Sequence, residues 1–78
     1  MSKFKKYWIQ FPTEYIEEVR LAEKKLHQEG IYLDTGTGFG TRDWMIDIKI
    51  NDMTPDEFIG YFKKTFPELV SKGEIIEV

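Results

Sequence analysis

Hydrophobic and polar residues alternate with a period of two in three stretches of this chain and follow a helical period in two others. In Lys3–Phe11, the residues Tyr7, Ile9 and Phe11 share one phase, while Phe4, Lys6, Trp8 and Gln10 share the other. That pattern predicts a strand with the first set against a core and Trp8 on the opposite side of the sheet. Ile31–Thr35 is a shorter strand, with Ile31 and Leu33 inward and Tyr32 and Asp34 outward. Arg42–Ile50 carries the most regular alternation. It sets Trp44, Ile46, Ile48 and Ile50 on one face, and Asp43, Met45, Asp47 and Lys49 on the other. Glu74–Val78 is a fourth, strand-like segment at the end of the sequence.

The helical segments carry their own punctuation. Thr13 is placed to cap a helix running to about Glu29, in which Tyr15, Val19, Ala22 and Leu26, widened by Ile16, form one buried stripe. Glu14, Glu17 and Glu18 open it and Lys24, Lys25 and His27 end it, which suits the helix dipole; Gly30 is placed to stop it. The second helix begins at Thr54-Pro55-Asp56-Glu57, with Thr54 as N-cap, Pro55 at the first position and Glu57 completing a capping box. Phe58, Ile59, Phe62 and Phe66 make its buried face. Pro67 ends it or starts a short extra turn through Ser71, and Gly73 releases the chain into the last strand.

The order of elements is β-α-β-β-α-β. Two interleaved right-handed βαβ units resemble the ferredoxin-like plait over essentially the whole chain. The resemblance implies an α+β two-layer sandwich, a four-stranded antiparallel sheet with two helices on one face, and a single domain over residues 1–78. Thr35–Arg42, between the second and third strands, holds Gly36, Gly38 and Gly40 but no two-residue Asn-Gly turn. It is expected to be a flexible loop, longer than hairpin closure requires. Its TGFGTRDW run is similar to short reading frames of phages and mobile elements.

Composition narrows the chemistry. With no cysteine among 78 residues, disulfides, thiolate catalysis, zinc ribbons and iron–sulfur ligation are excluded. A reducing, cytoplasmic compartment is expected. No apolar run approaches the roughly 18 residues that span a bilayer, and Met1–Gln10 lacks a signal-peptide pattern. A formal net charge of −3 argues against nucleic acid as a partner.

Several candidate chemistries fail on context. Asp34-Thr35-Gly36 resembles the Asp-Thr-Gly signature of retroviral-type aspartic proteases, whose chemistry needs two such aspartates sharing a proton. Two strong helices do not fit that nearly all-β architecture, and the later apolar-apolar-Gly element could only be Phe58-Ile59-Gly60, inside a helix. The glycine run could point N–H groups at phosphate. It joins two strands, however, whereas phosphate loops sit between a strand and a helix N-terminus. Base stacking on the sheet would use Trp8, but the third strand offers Asp43, Met45 and Asp47 where aromatics are needed, and carboxylates repel a phosphate chain. Asp43 and Asp47 lie about 13 Å apart along one strand, too far for shared chelation. His27, the only histidine, suits a helix C-terminus better than catalysis. No catalytic residue, metal ligand or cofactor is therefore expected.

What remains is the outer sheet face with the loop beside it. Trp8, Tyr32, Asp34, Thr37, Phe39, Arg42, Asp43, Met45 and Asp47 are the expected partner-binding residues, since exposed aromatics and methionine inside a charged rim are the composition of an interface. The sequence points to a non-enzymatic protein-interaction module. A sharper form is a small acidic inhibitor or regulator of a nucleic-acid-handling complex, of the kind phages encode. The alternative is a small-ligand-binding or regulatory domain that forms a homodimer through the same face.

Overall fold

In the computed structural model, which describes residues 5–78, β1 (Tyr7–Pro12) and β3 (Thr41–Ile46) lie side by side at the centre of a four-stranded sheet. Expectations resting on Lys3 and Phe4 lie outside the described residues. Strands β2 (Asp34–Gly38) and β4 (Glu74–Glu77) form the edges, in the order β2-β3-β1-β4, and every pair is antiparallel. Helices α1 (Ile16–Gln28) and α2 (Pro55–Thr65) cover one face, and a short α3 (Pro67–Val70) follows α2. The arrangement is the α+β two-layer sandwich that the βαββαβ pattern implies.

The core lies between sheet and helices. Ile9 and Phe11 of β1, and Trp44 and Ile46 of β3, are fully buried against Val19, Ala22 and Leu26 of α1 and Phe58, Ile59 and Phe62 of α2. Phe11, Trp44 and Phe62 meet edge to face at 4.9–6.2 Å between ring centroids. Each such pair contributes about 0.5–1.5 kcal/mol beyond its buried area. Gly73 is packed against this cluster, since an added Cβ would lie 2.6 Å from the Phe11 ring.

The capping box of α2 forms as its sequence requires. The Glu57 N–H donates to Thr54 Oγ1, and the Thr54 N–H donates to Glu57 Oε1 at 2.8 Å. At the other helix, Thr13 makes no side-chain cap; Thr13–Tyr15 form a 3-10 turn that leads into α1. Gly30, at φ +83°, ends α1 with its own N–H on the His27 carbonyl and the Ile31 N–H on the Leu26 carbonyl. This Schellman closure buries Ile31 against Leu26.

That closure moves the second strand. Ile31 reaches the core from the helix terminus, and pairing starts only at Asp34, so β2 is Asp34–Gly38 in place of Ile31–Thr35. The expected long loop is absent. Gly38 pairs with Thr41, and only Phe39 and Gly40, at φ +41° and +86°, make the turn. Positive φ at both positions is the type I′ requirement, and its twist matches that of the strands it joins. The Thr13 N–H fixes this turn through the Gly40 carbonyl at 3.0 Å.

The third strand ends early. Its last residues pair with the first residues of both neighbours, Met45 with Asp34 and Ile46 with Tyr7, so Asp47–Lys49 leave the sheet. Ile48 consequently faces solvent, 67% exposed, and is not a core residue. Ile50 returns to the core through a bridge to Met53, closed by Asn51 and Asp52 at positive φ.

Candidate functional site

Residues directly opposite in an antiparallel ladder share a sheet face. Asp34, Met45, Trp8 and Ile76 therefore form one row across the side that the helices leave uncovered. Gly36, Asp43, Gln10 and Glu74 form the next. Trp8 is 39% exposed between Met45 and Ile76; Asp34 ends that apolar stripe, and Asp43 and Glu74 lie along one flank of it. No basic side chain lies on this face of β2 or β3: the residues there are Asp34, Gly36, Gly38, Thr41, Asp43 and Met45.

Asp43 carries an anomaly. Its Oδ1 is buried and has no hydrogen-bond partner among the described residues. Leaving a buried acceptor unpaired costs about 1–3 kcal/mol, and more when it is charged. Its neighbour on the β2 side is Gly36, where an added Cβ would meet nothing within 4 Å. The carboxylate is thus flanked towards the sheet edge by bare backbone.

On the helix side of the same strands lies a network that sequence reasoning missed. Glu23 of α1 accepts from Arg42 Nε at 2.8 Å, from Arg42 Nη2 at 2.7 Å and from Trp44 Nε1 at 2.7 Å. Arg42 also donates to Thr37 Oγ1 at 2.8 Å and to Thr35 Oγ1 at 3.1 Å. Burial pushes the Glu23 carboxyl upward, but the hydrogen bonds from Arg42 and Trp44 and the charges of Arg42 and Arg20 hold it below its ordinary value. With one fork of Arg42 on a carboxylate and the rest on two threonines, the guanidinium braces the hairpin and has little left for a ligand.

The expected partner-binding residues therefore separate. Trp8, Asp34, Asp43 and Met45 share the open face. Arg42 and Thr37 sit on the helix side, inside the Glu23 network. Tyr32 precedes β2 and packs edge to face on His27 of α1, at 4.3 Å between centroids, so it is not on the sheet face. Phe39 is fully exposed at the hairpin tip, and Asp47 is exposed beyond the end of β3. Glu74 and Ile76 complete the open face, a placement hidden in the sequence because Glu-Ile-Ile-Glu has no alternation to set its phase. For Glu23 the available signal was an acid between the buried helical positions Val19 and Leu26.

Other surfaces are less organised. A groove of about 590 Å³ between α1 and α3 is lined by Leu21, Phe66 and Leu69, but Glu18, Lys24, Lys25 and Glu68 give it charges of both signs. Among the described residues, no three His, Asp or Glu side chains converge as a metal site, and no helix is long and apolar enough to cross a membrane. No protein-family model, no curated protein and no solved structure matches this chain.

Proposed function

We propose that this chain is a non-enzymatic protein-interaction module that docks through its open sheet face onto a basic protein surface. The observation that carries the reading is the exposed Met45–Trp8–Ile76 stripe with Asp34 at its end and Asp43 and Glu74 along one flank. A tryptophan inside an apolar stripe is the usual anchor of an interface, and an acidic flank steers a basic partner. The sharper form is inhibition or regulation of a nucleic-acid-handling protein, whose own binding surface is basic. A carboxylate-rimmed face would compete with nucleic acid for that surface, as a phage-type inhibitor would. Self-association through this face would set acid against acid, which disfavours the homodimer alternative.

The test is reconstitution with the purified protein that this chain captures from cells of its source. Trp8→Ala is expected to weaken binding by at least about tenfold, with the fold intact by circular dichroism. Adding duplex DNA should displace the chain. A complex indifferent to both Trp8→Ala and DNA would rule the reading out.

A further inference from the structure

The β2 edge is built to accept a strand. A two-residue turn closes on a hydrogen-bonded pair, here Gly38 and Thr41, and pairing alternates from there. Asp34, Gly36 and Gly38 then turn their N–H and C=O groups towards β3, while Thr35 and Thr37 turn theirs outward. Natural sheets guard such edges with charges, proline or bulges. The other edge, β4, is guarded: it begins and ends with Glu74 and Glu77, and Lys5 pairs with Glu77. β2 carries one charge, at its first residue, and no proline.

The edge is also held in place. Two glycines in five residues make β2 a poor strand by propensity. The Glu23-anchored Arg42 guanidinium fixes both outward-turned residues, Thr35 and Thr37, by their side chains. The two residues whose backbone faces solvent are the two that the network grips.

We propose that an extended segment of the partner adds to β2 as a fifth strand and lays a lysine or arginine side chain across Gly36 onto Asp43. This deepens the interaction reading above and rests on it. A residue opposite Gly36 on the incoming strand lies about 10 Å from the Asp43 Cα, one non-bonded and one bonded pair spacing away. The stem of a lysine or arginine together with the aspartate side chain spans that gap. Gly36 leaves open space above the strand, and the half-buried Asp43 carboxylate, whose Oδ1 has no partner among the described residues, is the acceptor that the cation would meet. A second copy of this chain does not supply it: β2 against β2 about Gly36 opposes glycine to glycine and Asp34 to Gly38, with no cation at any register of Asp34–Gly38.

The probe is a random nonapeptide library displayed on phage and selected on the purified full chain. Selected peptides are expected to alternate β-branched residues with one lysine or arginine and to slow hydrogen exchange at the Thr35 and Thr37 amides. Gly36→Val and Asp43→Asn should each weaken the selected peptide by about tenfold or more, while both variants keep the native fold. Replacing the selected cation by norleucine should cost the same in the native chain and almost nothing in Asp43→Asn. If no peptide is selected, or if both variants bind it unchanged, the edge proposal is overturned. Peptides lost only on Trp8→Ala would overturn the edge and leave the open-face reading standing. A dimer by light scattering that Gly36→Val dissolves would overturn it in favour of a second copy.

Discussion

Phe39 holds a backbone conformation that favours glycine or asparagine, with its ring in water. A left-handed residue other than these costs about 1–2 kcal/mol, and the fully exposed ring gains no burial in return. Phe39→Asn, which restores the Asn-Gly turn, is expected to raise stability by about 1 kcal/mol in a denaturant titration. Glu23 makes the opposite case. Its carboxyl is held below its ordinary value near 4.5, so the stabilisation it contributes is fully present above that value and is lost as pH falls through its folded pKa. Stability should drop in acid below pH 4.5 in the native chain, and less steeply in Glu23→Gln, as read by urea midpoints between pH 3 and 7. Neither residue was legible beforehand. Phe-Gly is not a recognised turn pair, and the role of Glu23 depends on which strand residues come under α1.

The elements themselves were written more openly, because caps and periodicity are local. The Thr54–Glu57 box, the Gly30 stop and the buried faces of both helices follow from spacing alone. Strand limits do not, since a strand ends where its neighbours end, as β3 does at Ile46. Two glycines separate local from tertiary constraint. Gly60 lies mid-helix, where an added Cβ would meet nothing within 4 Å, so Gly60→Ala should stabilise by about 1 kcal/mol. Gly73 abuts the Phe11 ring, which is fully buried and cannot yield, so Gly73→Ala should destabilise by about 1–3 kcal/mol. Thermal melts of the two variants, moving in opposite directions, check both.

Over the whole molecule, the two-layer order was readable and the surface only in part, since Trp8, Asp34, Asp43 and Met45 do share the open face. Shifting β2 by three residues and shortening the hairpin loop divides one expected patch between two sides of the sheet. The open face keeps the tryptophan and the acids, while the threonines and arginine become its scaffold on the reverse. Each side then has a separate task, contact on one and rigidity on the other. That division explains why a glycine-rich strand stays ordered at an unguarded margin.

The last strand lies beside the first, and the Val78 N–H donates to the Lys6 carbonyl at 2.8 Å. Chain continuity is therefore not what holds the sheet together, and the order in which its pieces are synthesised can be changed. Joining the two ends through a short flexible linker and opening the chain between Phe39 and Gly40 should give a circular permutant with every strand pair intact. Its β2 would then end the polypeptide, free of the turn and held by its ladder to β3 and by its threonines. Folding of that permutant, followed by amide exchange along β2, would measure how much of this strand's order comes from the arginine clasp and how much from the turn.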